Sequence, residues 1–138
     1  MISIVPNEQR FHDFIRRLRN NPAVAAGFVE TVNITPEQQS DYMSRFGDRY
    51  LVALVDAQPA GYIGSIDRDI RICVHPSYQG QGVGKALIDA IMEKFPESYA
   101  RIKTDNKSSL CLFEACGFHR AFIIMTRENR QEVSQKDE

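Results

Sequence analysis

The sequence predicts an α/β (α+β) fold in which a mixed, mostly antiparallel central sheet is flanked by helices. Three observations carry this expectation. Apolar, β-rich runs at residues 50–55, 61–66 and 70–74 follow one another across short turns, as neighbouring antiparallel strands do. Segments with helical periodicity stand before and after them. A glycine-rich stretch joins the third run directly to a helix, which a plain hairpin stack would not contain. At 138 residues the chain is expected to form a single domain over 1–138, with a polar, frayed tail from about 128.

Residues 2–5 read as a short strand ended by Pro6, and Asn7 as the N-cap of a first helix. The apolar stripe of that helix is Phe11, Phe14, Ile15 and Leu18, and Asn20-Asn21-Pro22 stops it. Residues 23–34 fit no period. Thr35-Pro36-Glu37-Gln38 is a helix start, with a hydroxyl cap, proline in the first turn and Gln38 in the capping-box position. This helix is expected to end before Gly47. The hairpin between 55 and 61 uses Asp-Ala-Gln-Pro-Ala, and Asp67-Arg68-Asp69 forms the next turn. After the glycines, Val83, Leu87, Ala90, Ile91 and Phe95 share one helix face, and Pro96 ends it. A strand at 99–104, a helix at 107–116 closed by Gly117, and a last strand region at 118–127 complete the chain.

Composition narrows the function classes. The net charge of -1 gives no electrostatic basis for nucleic-acid or membrane-surface binding. No apolar run approaches the ~20 residues of a membrane span, and the first residues lack signal-peptide features. Cys73, Cys111 and Cys116 are odd in number and lack metal-ligand spacing, so free thiols, no metal and a cytoplasmic location are expected.

The most informative stretch is Ile70-Arg-Ile-Cys-Val-His-Pro-Ser-Tyr-Gln-Gly80-Gln-Gly82-Val-Gly84-Lys-Ala-Leu87. Alternating glycines at a strand-to-helix junction let backbone N–H groups approach a ligand at the positive end of a helix dipole, where phosphate binds. A nucleotide-triphosphatase loop fails twice: Gln79 stands at its first glycine and Ala86 at its Mg²⁺-binding hydroxyl. A dinucleotide loop starting at Gly80 puts Lys85 at the third glycine, although Asp105 lies near where its ribose-binding acid belongs. Too few strand–helix repeats precede the glycines for that fold. A plain glycine-rich connection is the bland alternative, with no reason to alternate three glycines.

Gln79-x-x-Gly82-x-Gly84 at the head of a helix resembles the pyrophosphate loop of the GNAT superfamily, the acetyl-CoA-dependent N-acetyltransferases. Val74-His75-Pro76 before it is similar to the family's usual lead-in. A second block fits downstream: Asn106-Lys-Ser-Ser-Leu-Cys-Leu-Phe113-Glu-Ala-Cys-Gly117-Phe118 resembles the family's Asn-x-x-(small)-x-x-Leu-Tyr-x-x-x-Gly-Phe segment. The resemblance covers residues 48–127 well and the first 47 loosely, where members build their acceptor pockets.

The resemblance implies a GNAT-like sheet and acetyl transfer from acetyl-CoA to a primary amine, small molecule or peptide, by direct transfer. It places the pantetheine arm along Ile72, Cys73 and Val74, and the pyrophosphate on Gln79, Gly80, Gln81, Gly82, Val83, Gly84 and Lys85. It adds Asn106 and Phe113 to the cofactor side. Asn106 read alone is a helix N-cap, and Lys85 read alone is a solvated lysine. Family members often use a carboxylate at the start of the strand before the loop as a base acting through water. Asp67 and Asp69 flank that position as candidate catalytic bases, and their structural alternative is a pair of turn aspartates. His75, His119 and His12 have no constellation around them.

Phe113 departs from the family, because tyrosine there is assigned to protonating the leaving thiolate. Either coenzyme A leaves with little help, being a thiol, for which the ordinary pKa is about 8.5, or another donor serves, with Tyr62, Tyr78, Cys111 and Cys116 as candidates. A third alternative is a non-catalytic acyl-CoA sensor. Arg19-Asn20-Asn21-Pro22 and Thr35-Pro36-Glu37-Gln38 weakly resemble the branch acting on nucleotide-linked amino sugars and ribosomal protein N-termini. A homodimer is left open.

Overall fold

The computed structural model describes residues 1–25, 28 and 33–127. The expected tail from 128 and part of the aperiodic stretch at 23–34 lie outside them. Four strands, β1 (Ile2–Pro6), β2 (Tyr50–Val55), β3 (Gln58–Ile66) and β4 (Asp69–Val74), form one antiparallel sheet in that order. The helices are α1 (His12–Asn20), α2 (Pro22–Ala25), α3 (Pro36–Phe46), α4 (Val83–Lys94) and α5 (Lys107–Ala115).

Alternation along the strands sorts the core into two layers. Leu51, Ala53, Ile63 and Ile70 face α4, where Val83, Leu87, Ile88 and Ile91 are buried with Phe113 of α5. Tyr50, Val52, Tyr62, Ile66 and Cys73 face the other side, against Phe11, Ile15 and Leu18 of the N-terminal segment and Met43 of α3. Both hairpin turns are two residues long and hold non-glycine residues at positive φ. They are Asp56 and Ala57 (47° and 71°), and Asp67 and Arg68 (52° and 70°). Positive φ at both central positions matches the right-handed twist of the flanking strands. Here that geometry is held against the steric preference of L-residues.

Several expectations are corrected. The second hairpin strand begins at Gln58, ahead of Pro59, and a register shift between Ala53 and Leu54 accommodates it. Asn7 does not cap α1; its Nδ2 donates to the Gly47 carbonyl at 3.1 Å, and the helix starts at His12 after a 3₁₀ turn. The capping box at Thr35 and Gln38 is present in both directions, at 3.2 and 2.9 Å.

The two C-terminal strands are absent among the described residues. Among the described residues, segment 99–104 pairs its backbone with the sheet only at a parallel bridge between Asp69 and Tyr99, with Ile70 N–H donating to the Tyr99 carbonyl at 2.9 Å. It then departs from β4. Segment 121–127 forms no ladder, and Phe122, Ile123, Ile124 and Met125 are exposed. A β-rich sequence becomes a strand only where a neighbour satisfies its backbone groups, and neither segment has one along its length.

Candidate active site

The departure of 99–104 from β4 opens the centre of the site. Pairs 60–75 and 62–73 of β3 and β4 alternate with pairs 61–74 and 63–72, and His75 N–H donates to the Ala60 carbonyl at 2.8 Å. The backbone groups of Ile70, Ile72 and Val74 therefore point away from β3. Ile70 meets Tyr99; Ile72 and Val74 have no strand beyond them among the described residues. An extended ligand could pair with this edge as an added strand.

At the end of this edge Gln79 Nε2 donates to the Val74 carbonyl at 3.3 Å, which ties the glycine loop to β4. Gln79, Gly80, Gln81 and Gly82 are exposed. Gly80 and Gly82 have φ of 78° and 87°, and Gly82 is the N-cap of α4 with no side-chain cap. The first helical bond runs from Ala86 N–H to the Gly82 carbonyl at 3.1 Å. That leaves the N–H groups of Val83, Gly84 and Lys85 directed out of the helix end, an anion-binding arrangement. Val83 itself is buried. Gly84 answers to a different constraint, since a Cβ there would lie 2.8 Å from Leu112 Cδ2. Its role in the fold is to let α5 pack against α4. Lys85 is exposed and pairs with Asp89 at 2.8 Å; that hydrogen bond holds its pKa above the usual lysine value.

A cavity of about 140 Å³ runs between β4 and the departing segment. Asn106, Ser109 and Phe113 line its α5 side, while Arg19, Phe28 and Tyr62 line the side toward α1. Asn106 acts as the N-cap of α5, its Oδ1 accepting from Ser109 N–H at 3.2 Å. Phe113 is buried, edge-on to Phe118 with centroids 5.0 Å apart. Of the two candidate bases, Asp69 lines the cavity and is buried, whereas Asp67 sits exposed in the hairpin turn. Asp69 Oδ2 accepts from Arg101 Nη2 at 2.7 Å and Nε at 3.1 Å, and lies 3.6 Å from Arg71 Nε.

The donor candidates also separate. Tyr62 lines the cavity. Tyr78 stacks edge-on to His75, and both line a wider depression of about 570 Å³ against α1 that contains none of the loop glycines. Cys111 is exposed and Cys116 half-buried. Burial raises the Tyr62 pKa, Cys73 adds to this, and Arg19 opposes it. Cys73 faces the same layer, and burial pushes its thiol up to about 12. Both groups therefore remain protonated through neutral pH.

Arg19, Arg71 and Arg101 were not singled out as site residues by sequence. Arg71 had a signal: with Asp69 it puts two charges on the inward face of a strand that is otherwise apolar. Arg19 had only the weak segment resemblance of Arg19-Asn20-Asn21-Pro22, which gave its side chain no role of its own. Within the Arg19-Asn20-Asn21-Pro22 segment, Arg19 lines the cavity and the two asparagines make local hydrogen bonds. Asn20 exchanges two hydrogen bonds of 2.8 Å with the Ile34 backbone, and Asn21 Oδ1 accepts from Ala23 N–H at 2.9 Å.

Residues 46–120 match the family model described as an acetyltransferase (GNAT) domain. The chain is similar to N-alpha-acetyltransferase RimI of Mycobacterium tuberculosis, 35% identical over 51 residues, which is 36% of this chain and 32% of that protein. The chain spans 14% to 32% of the length of the curated relatives it matches. Among solved structures it resembles ribosomal-protein-alanine N-acetyltransferase from Brucella melitensis, with TM-score 0.75 and 17% identity over 87% of this chain and 86% of that one. It also resembles spermidine N-acetyltransferase from Vibrio cholerae in complex with CoA and spermine. There the TM-score is 0.73 at 16% identity, over 88% and 82% of the two chains.

Proposed function

Because this chain belongs to the GNAT acetyltransferase family, we propose that it moves an acetyl group from acetyl-CoA to a primary amine by direct transfer, without an acyl-enzyme. The observation that carries this reading is the pairing of an uncapped helix N-terminus at Gly82 with an open strand edge at Ile72 and Val74. Anionic and peptide-like halves of one ligand would be held in series, and the residues present fit coenzyme A in both respects. The bound thioester supplies the activated acetyl group. The N–H groups of Val83, Gly84 and Lys85 hold the pyrophosphate, with Gln79 fixing the loop to the strand. A backbone N–H of the open edge polarises the acetyl carbonyl as a preorganised donor.

On the acceptor side Asp69 is the carboxylate within the cavity, and it takes the amine proton through water. Tyr62 is the donor candidate that reaches the same cavity. The amine belongs to a small molecule or to a peptide N-terminus, the two kinds of acceptor that the named relatives illustrate. Incubating the purified protein with acetyl-CoA and a panel of amines, followed by mass spectrometry, tests transfer. No acetylated product from any amine, with acetyl-CoA still bound, would favour the sensor reading.

Acetyl-CoA at about a hundred times its dissociation constant should stabilise the fold by roughly 2.7 kcal/mol, read as a rise in melting temperature. ATP with Mg²⁺ and a nicotinamide dinucleotide should leave the melting temperature unchanged. A shift with ATP and none with acetyl-CoA would refute the cofactor assignment.

Phe113→Tyr tests whether thiolate departure needs an acid at that position. Single-turnover transfer in the variant should stay within about tenfold of the parent, because a thiol of pKa about 8.5 leaves readily. A gain of about a hundredfold, within the range a positioned acid contributes, would show that the parent lacks a required donor.

A further inference from the structure

The polar groups lining the cavity define an acceptor of one charge class. Arg19 enters from α1, Arg71 from β4 and Arg101 from the departing segment. The carboxylate among the described lining residues is Asp69, and Arg101 and Arg71 already engage it. Arg19 Nε and Arg71 Nε are buried without a hydrogen bond, Arg71 standing 3.6 Å from Asp69. Arg19 is held over the Phe28 ring, 5.2 Å from its centroid, so its planar fork keeps a set orientation. Arg71 is ion-paired with Asp69 and Arg19 interacts with the Tyr62 hydroxyl, but each keeps one buried Nε–H without an acceptor, and an anionic oxygen would supply it.

Resting on the amine-acetylation reading above, we propose that the acceptor is a primary amine that also bears an anionic oxygen group, a carboxylate or a phosphate, seated on Arg19 and Arg71. Its ammonium end lies toward Asp69, the negative group of the cavity. The site therefore complements a zwitterion. A polyamine would bring further positive charge against guanidinium groups and is disfavoured.

The test compares matched acceptors at fixed acetyl-CoA, following release of free coenzyme A. The anionic arms are α-amino acids and O-phosphoethanolamine, their neutral counterparts are amino-acid amides and ethanolamine, and spermidine is the cationic arm. At least one anionic acceptor should exceed its neutral counterpart by ten- to a hundredfold in kcat/KM, and the preferred arm identifies carboxylate or phosphate. In Arg19→Gln and in Arg71→Gln the KM for that acceptor should rise about 10–100-fold. In Arg19→Gln, turnover of the neutral counterpart should stay at the parental value. Arg71→Gln also removes a partner of Asp69, so there the ratio of kcat/KM between the anionic acceptor and its neutral counterpart is the readout and should fall by the same factor. The acetyl-CoA melting shift should stay parental in both. Two variants on separate elements keep the test decisive if one misfolds. Preference for spermidine or a neutral amine overturns the proposal while leaving acetyl transfer standing. No turnover of any arm, with the acetyl-CoA shift intact, also overturns it. Loss of the shift in the parent removes the acetyl-transfer reading itself.

Discussion

Gly82→Glu should weaken acetyl-CoA binding by more than about a hundredfold and leave a folded protein. The residue stands at φ 87° as the N-cap of α4, and the nearest atom to a Cβ built there is Ile2 Cδ1 at 3.9 Å. A side chain therefore has room, at a backbone cost of about 1–2 kcal/mol for an L-residue in the left-handed region. The new carboxylate would sit at the N–H groups that otherwise meet phosphate, and would both occupy and repel. Titration calorimetry with circular dichroism checks this, and parental affinity in a native-like variant would reduce the loop to a connection. Gly84→Glu cannot serve the same purpose. Its side chain would collide with Leu112 and disturb the α4–α5 contact before any ligand is considered.

Asp69→Asn should lower both stability and transfer, and the two losses are separable. The carboxylate is buried between guanidinium groups, and neutralising it leaves them facing each other. Breaking a fully buried pair costs about 3–5 kcal/mol. Arg101 and Arg71 keep 41% and 32% of their side-chain surface exposed, so solvent screening reduces the expected loss to about 1–3 kcal/mol. The melting temperature should fall by several degrees. If Asp69 also takes the amine proton, the transfer rate should fall by a further ~10²–10⁴-fold. That deficit should shrink at high pH, where the amine is already neutral. A parental pH profile in the variant would confine Asp69 to structure, and a parental melting temperature would show that the cluster contributes nothing.

These residues also mark how far the sequence could be read. The Thr35 capping box, the hairpins and the glycine junction are local devices, whose chemistry is complete within a few residues, and all three are present, although the first hairpin turns at Asp56-Ala57 alone and its second strand starts at Gln58. Fold class followed from them. Segments 99–104 and 118–127 were misread because strand formation depends on a neighbour that no local pattern specifies. The first leaves β4 after one bridge, and the second, for all its Phe122-Ile-Ile-Met125 run, lies exposed. Asn7 shows the same limit, since a side chain suited to a cap instead reaches Gly47, 40 positions away. The candidate site was legible at the glycine loop, where the groups proposed to hold the cofactor lie within a few residues of one another. It was not legible at the cavity, where Arg19, Arg71 and Arg101 converge from three separated parts of the chain.

The open edge of β4 has a consequence for exchange with solvent. Neighbouring amides of one strand should differ sharply in protection, because Cys73 is paired with β3 while Ile72 and Val74 point away from it. In the apo protein deuterium should enter at 72 and 74 well before 71 and 73, a two-residue alternation inside the sheet. Coenzyme A added to the same sample should erase that alternation at 72 and 74 first.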